Sequence, residues 1–249
     1  MTLLRSNSKL VDRIEADLAE LRADLGARKP TELYDPVGYV LESRGKRLRP
    51  LLVHLVSRSL GASYETASPV AQGVEVFHAF TLVHDDVMDN AATRRGRQTV
   101  HTKWDLSTAI LAGDLLLGLS YELVSRVPHE LLPRVMSTFG VMVARLCEGQ
   151  TADMTFEKRG DVALDEYLRM IDRKTGALLE CCFCLGGILG GGSDEVVAAL
   201  GEAGIELGRA FQIQDDLLDL VATDPKWGKK IGGDLIEGKK AYLLLAALD

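Results

Sequence analysis

Apolar residues recur along this chain mostly at three- and four-residue intervals, and few segments alternate in the manner of a strand. Leu10, Ile14, Leu18, Leu21 and Leu25 fall on one stripe, which predicts an amphipathic helix over 8–25. Asp35-Pro36 reads as the next helix start, with the carboxylate as cap and proline at the first helical position, and that helix stops near Gly45. Leu51 to Leu60 predicts another helix, ended by Gly61. Ser68-Pro69 reads as the cap of a long helix running to about 89. Further helices are predicted over 107–126 with Ser107 near the cap, over about 130–154, from Asp165 to about Gly190, and over 194–222. A last one begins near Lys239.

Composition narrows the possibilities. With 249 residues, 47% of them apolar, the chain can bury a sizeable core, and nothing marks a linker between two domains. Its 29 basic and 36 acidic side chains give a net charge of −7, which disfavours a nucleic-acid partner. The first thirty residues are charged and amphipathic rather than a signal peptide. No apolar run reaches the roughly 18 residues of a membrane span, so no transmembrane segment is expected. The strongest candidate, Ala177 to Gly192, is broken by Glu180 and by glycine. Of the four cysteines, three crowd together at Cys181, Cys182 and Cys184 without a second cluster, so zinc is poorly supported. All four, with Cys147, read as reduced, buried small hydrophobes of a cytoplasmic protein.

The chemistry concentrates in two Asp-Asp-x-x-Asp sets, Asp85-Asp86-x-x-Asp89 and Asp215-Asp216-x-x-Asp219. Helical residues four apart share a face, so like charges at that spacing repel unless something binds them. A hard divalent cation such as Mg²⁺ takes carboxylate oxygens and shares itself with substrate phosphates. The pattern therefore predicts paired metal sites facing each other across a helical cavity. Basic clusters lie close by in sequence: Arg44, Lys46, Arg47 and Arg49 beside Gly45, and Arg94, Arg95 and Arg97 directly after the first set. Such loops suit a diphosphate, as does the Gly/Lys loop 228–234. His78 lies two turns before Asp85 on the same face, and Lys174-Thr175 borders a strongly apolar run.

Taken in order, these motifs resemble the trans-isoprenyl diphosphate synthases, the head-to-tail chain-elongating prenyltransferases, over nearly the whole chain from about 35 to 245. Gly45-Lys46-Arg47-Leu48-Arg49-Pro50 looks like the isopentenyl diphosphate motif, and Asp85-Asp86-x-x-Asp89 with Arg94-Arg95 like the first aspartate-rich motif. Lys174-Thr175, Gln212, the second triplet, Lys229 and Lys239 complete the set. The resemblance implies an all-α fold, about ten helices around a central cavity, in a homodimer. It implies that Lys46, Arg47, Arg49, His78 and Arg95 bind isopentenyl diphosphate. It assigns the allylic diphosphate (dimethylallyl, geranyl or farnesyl) to Arg94, Lys174, Lys229 and Lys239. Thr175 and Gln212 join Lys174 as catalytic groups. Three Mg²⁺ ions would be held by Asp85, Asp89 and Asp215, with Asp86, Asp216 and Asp219 in support.

Phe80 lies five residues before Asp85, roughly 7.5 Å down a helix, and Phe77 roughly 12 Å down. If these rings close the floor of the product pocket, the growing chain stops after a few isoprene units; an aromatic at Phe80, the small Thr81 and no insertion in the triplet resemble, within that family, a geranylgeranyl (twenty-carbon) diphosphate synthase. Farnesyl or longer products and a non-catalytic regulatory subunit are the alternatives. Relatives continue through further helices past the point where this sequence stops, so a single domain over 1–249 without those helices is expected.

Overall fold

The structure, a computed structural model, describes residues 2–43, 45–221 and 240–248, and among them nearly all regular structure is helical. The chain divides into two compact units, residues 1–135 with 188–191 and residues 136–187 with 192–249.

In the first unit a short α1 (Thr2–Ser6) precedes α2 (Ser8–Gly26), the predicted amphipathic helix. Then come α3 (Thr31–Leu41), α4 (Leu48–Ser59) and α5 (Tyr64–Met88). A small hairpin, β1 (Thr93–Arg94) with β2 (Arg97–Gln98), leads through α6 (Val100–Lys103) into α7 (Leu106–Val124). The core forms where α5 meets α7: Val76, Ala79 and Val83 pack with Ala109, Ala112 and Leu116. Gly113 permits the close approach, since a Cβ there would lie 2.1 Å from His84 Nε2.

Two helix starts differ from the expectation for one reason. α3 begins at Thr31 and α5 at Tyr64, so Pro36 and Pro69 are each the sixth residue of a helix, not the first. Proline there gives up the bond to the carbonyl four residues back, at Glu32 and Glu65, and crowds that carbonyl, a cost taken near the start of each helix. The cap of α5 is Ser63, whose hydroxyl accepts from the Thr66 amide at 3.2 Å. α7 is capped by Asp105 rather than Ser107, with the Thr108 amide 2.8 Å from its carboxylate. At 19 residues and a mean hydropathy of 1.3, α7 is long and apolar enough to cross a membrane, and 44% of that stretch is buried inside the protein. Gly113-Asp114 at its centre hid this run from the sequence reading.

The second unit takes most of α8 (Leu132–Phe156), then α9 (Leu164–Ile171), α10 (Ala177–Leu189), α11 (Asp194–Val221) and α12 (Tyr242–Leu248). Phe156, Val162, Tyr167, Met170, Ile171 and Leu245 form one of its buried clusters. The single helix expected from Asp165 to about Gly190 is interrupted by a π-helical turn, Asp172–Gly176. Neighbours come unusually close there. A Cβ on Gly208 would lie 2.5 Å from Gly176 Cα, and one on Gly149 would lie 2.3 Å from the Lys174 amide nitrogen. Arg209 of α11 fixes the turn's start, its Nε and Nη2 donating to the two Asp172 oxygens at 2.6 and 2.7 Å. Cys181, Cys182 and Cys184 are buried thiols as expected, whereas Cys147 is exposed.

Candidate functional site

In the first unit the basic loop enters α4 through Arg47, its N-cap residue, at φ 49°. The Arg47 guanidinium is engaged within the protein. Nη1 donates to Glu75 Oε1 at 2.7 Å and Nε to Glu15 Oε1 at 2.9 Å. Nη2 donates to Glu15 Oε2 at 3.3 Å and to the Ser43 carbonyl at 3.1 Å. Burial lowers its pKa, but the two glutamates outweigh burial and raise it. Lys46 beside it is exposed.

His78, on α5, is held neutral. Burial first, then the charges of Arg49, Arg95, Arg94 and Arg47, push its pKa well below the usual imidazole range. The charges of Arg47 and Arg49 at the start of α4 and of Arg94 and Arg95 in the hairpin thus act on this ring together. The two-residue turn of the hairpin is Arg95 (φ 52°) and Gly96 (φ 76°). Hairpin turns of the primed type need φ above zero at such positions, which glycine accepts freely and arginine at some cost.

The first triplet ends α5. Asp85 is half-buried, Asp89 is exposed, and Asp86 is buried at 6% exposure. Arg94 Nε donates to Asp86 Oδ1 at 2.7 Å, so the middle carboxylate anchors the hairpin. Burial nevertheless raises the Asp86 pKa, outweighing Arg94. Phe77 is fully buried, whereas Phe80 is only partly so and packs against the α5–α7 core. The Phe80 ring lies 5.3 Å from that of Phe77 and 4.8 Å from that of His84. Thr81 is buried, its hydroxyl donating to the His78 carbonyl at 2.8 Å.

In the second unit the middle aspartate is again buried, at 5% exposure, but its donors are neutral. Asp216 accepts from Tyr167 OH at 2.5 Å, Gln212 Nε2 at 3.0 Å and the Tyr242 amide at 2.9 Å. Gln212 Oε1 in turn accepts from Thr175 Oγ1 at 3.0 Å. Thr175, Gln212 and Asp216 are therefore one hydrogen-bonded chain from the π turn through α11 to the start of α12. Asp219 is buried and Asp215 half-buried. Lys174 Nζ donates to Asp153 on α8. Lys229 and Lys239, like Arg44, lie outside the described residues.

Among the described residues no group of three or more His, Cys, Asp or Glu side chains is arranged to hold a metal ion. Each triplet does present carboxylates one helical turn apart, Asp85 with Asp89 and Asp215 with Asp219. Mg²⁺ is commonly bound through one or two carboxylates and completed by water and substrate phosphate. The oxygen donors present fit that ion when it arrives with a diphosphate.

Residues 30–249 match the family model described as polyprenyl synthetase. The chain belongs to this family, the trans-isoprenyl diphosphate synthases. Its members are prenyltransferases that generally use Mg²⁺. Similar proteins include the geranylgeranyl diphosphate synthase of Methanosarcina mazei, 40% identical over 252 residues that cover 100% of this chain and 76% of the relative. The geranylfarnesyl diphosphate synthase of Natronomonas pharaonis is 39% identical, over 96% of this chain and 77% of its own. The crystal structure of the geranylgeranyl pyrophosphate synthetase from Pyrococcus horikoshii superposes with a TM-score of 0.90 at 39% identity, covering 98% of this chain and 74% of that one.

Several residues that shape this synthase's candidate site escaped the sequence reading. Tyr167 precedes Lys174 by two helical turns and looks like any core aromatic. Gly201, Gly204 and Gly208 share a face of α11 and bring it against α10 and the π turn, a spacing that could have been found by searching helices for small residues. Glu15 and Glu75 left no signal, because their partner is remote in sequence.

Proposed function

We propose that this synthase condenses isopentenyl diphosphate with an allylic diphosphate, head to tail, and releases the twenty-carbon geranylgeranyl diphosphate. The observation that carries the reading is the first triplet at the end of α5, whose buried middle carboxylate is tied to Arg94 of the hairpin while Asp85 and Asp89 stand one turn apart and His78 lies two helical turns before Asp85 on the same face. An uncharged imidazole can donate to a diphosphate whose charge the guanidiniums balance. In this reading Lys46, Arg49, His78 and Arg95 hold isopentenyl diphosphate. Arg94, Lys174, Lys229 and Lys239 hold the allylic diphosphate, Lys174 exchanging Asp153 for a phosphate oxygen. Asp85, Asp89 and Asp215, supported by Asp219, carry three magnesium ions, while Asp86 and Asp216 brace the triplets from behind. Mg²⁺ supplies charge neutralisation at the leaving diphosphate.

The chemistry then balances without a side-chain base. The allylic carbon–oxygen bond breaks, the double bond of isopentenyl diphosphate forms a carbon–carbon bond at that carbon, and the proton it sheds passes to the departing pyrophosphate. Thr175 and Gln212 offer oxygen dipoles to the developing cation, and apolar walls exclude water that would quench it. The working form in this reading is a cytoplasmic homodimer.

Geranylgeranyl diphosphate synthases among the relatives support the twenty-carbon length, and Phe80, partly buried where Phe77 is fully buried, is the ring assigned to the pocket floor. The geranylfarnesyl synthase among the relatives makes a twenty-five-carbon product the second reading. The test is to incubate the protein with Mg²⁺, isopentenyl diphosphate and dimethylallyl, geranyl or farnesyl diphosphate, and to size the dephosphorylated alcohols. A dominant twenty-carbon alcohol is expected, moving to longer products in Phe80→Ala. An unchanged distribution in that variant removes Phe80 from the floor. No elongation from any primer overturns the activity.

A further inference from the structure

Arg47 occupies the centre of the basic loop, yet four hydrogen bonds tie its guanidinium to Glu75, Glu15 and the Ser43 carbonyl. Both Arg47 and Glu75 are buried, at 8% and 7% exposure, so this is a desolvated pair and not a surface contact. The backbone of Arg47 is left-handed at φ 49°, a conformation its β-carbon disfavours. Holding the guanidinium from three directions holds that conformation. The conformation in turn sets how Lys46 before it and Arg49 after it leave the main chain. The arginines lie within ordinary contact of the preceding glycine: a Cβ on Gly45 would stand 3.5 Å from Arg47 Nη1 and 3.4 Å from Arg95 Nη1.

We propose that Arg47, Glu75 and Glu15 are positioning residues, a guanidinium–carboxylate strut that fixes the Gly45–Arg49 loop for the diphosphate of isopentenyl diphosphate without touching it. The proposal rests on the reading above, in which Lys46 and Arg49 bind that group. Glu15 lies on α2, ahead of residue 30 where the family match begins, so the strut makes the N-terminal helix part of the binding apparatus.

The sign of one measurement separates this role from its rivals. Glu75 is a negative charge beside an anion-binding corner. By electrostatics alone, Glu75→Gln strengthens diphosphate binding, and it does so again if freed Arg47 is itself a ligand. A strut predicts the reverse, because the buried guanidinium loses its partner and pulls the loop out of place.

The experiment measures KM for isopentenyl diphosphate and for the allylic primer, with kcat and Tm, in the wild type, Glu75→Gln and Glu15→Gln. Glu75→Gln is expected to raise KM for isopentenyl diphosphate about tenfold, as for a lost charge-assisted hydrogen bond. Glu15→Gln, at a half-exposed carboxylate, raises it about threefold, and the primer KM stays within about twofold in both. A lowered or unchanged KM for isopentenyl diphosphate overturns the strut. So does an equal rise in both KM values with a large drop in Tm, which is a merely structural role. If Glu75→Gln does not fold, Glu15→Gln decides alone. Absence of wild-type turnover overturns the enzymatic reading first, and is thereby distinguished from failure of the strut.

Discussion

In the first unit the buried middle aspartate, Asp86, meets the guanidinium of Arg94, which is itself about one-third exposed. In the second unit Asp216 meets a tyrosine hydroxyl, a glutamine amide and a backbone amide, and Tyr167 is buried at 2% exposure. The same three-aspartate spelling is thus braced by charge near the surface in one place and by a neutral web in the interior in the other. A charge brace is screened by salt and can follow its hairpin, whereas a neutral web in a dry setting fixes its members and leaves each one costly to remove. The second arrangement also continues through Gln212 to Thr175, so it positions more than its own triplet.

The strongest way to break the comparison is to remove the outer carboxylates. Asp85→Ala and Asp215→Ala are each expected to cut kcat by about a hundredfold or more, as losses of transition-state charge stabilisation do, while circular dichroism shows the helices intact. A near-normal rate in Asp215→Ala beside a dead Asp85→Ala would leave a single metal-binding triplet, and the two regions would no longer be variants of one device.

A smaller effect sharpens the difference between the braces. Tyr167→Phe leaves a buried carboxylate short of a donor, which should cost about 1–3 kcal/mol in urea unfolding and also lower kcat through Gln212 and Thr175. Arg94→Met removes a partner that is about one-third exposed and should cost about 1 kcal/mol, with a loss that shrinks as salt is added. Equal costs at both sites would mean that the nature of the donor does not matter here.

How much of this was legible beforehand depended on how local each feature is. The α2 stripe and Gly61 after α4 depend on neighbouring residues, and the structure places them where the sequence did. Pro36 and Pro69 misled because each sits in the second turn of its helix, where the one main-chain bond it removes lies close to the helix start, and not at the first position where proline is commonest. The π turn at Asp172–Gly176 was invisible, since the neighbours packed closely against it, at Gly208 and Gly149, are brought there by folding. Arg47 was the subtlest case. As one cation among several in a basic loop it reads as a ligand, and only the remote carboxylates of Glu15 and Glu75 reveal it as internal.

Acid should separate the two regions by the smallest of these effects. All five histidines of the chain lie in the first unit. His54 stacks on Tyr64 with ring centroids 4.3 Å apart, and burial lowers its pKa from 6.5 to about 4. The unfolded chain then binds a proton that the folded protein refuses. The stability this site contributes is complete above pH 6.5 and is lost as the pH falls toward 4, with His78 acting in the same direction. For His54 alone the loss at pH 6 is on the order of 1 kcal/mol. His54→Phe keeps an aromatic ring against Tyr64 but cannot titrate, so its Tm measured from pH 7 to pH 5 should fall less steeply than that of the wild type. Parallel slopes would show that the imidazole takes up its proton without leaving its place, and the contrast between a titratable first unit and an indifferent second one would fail at this residue.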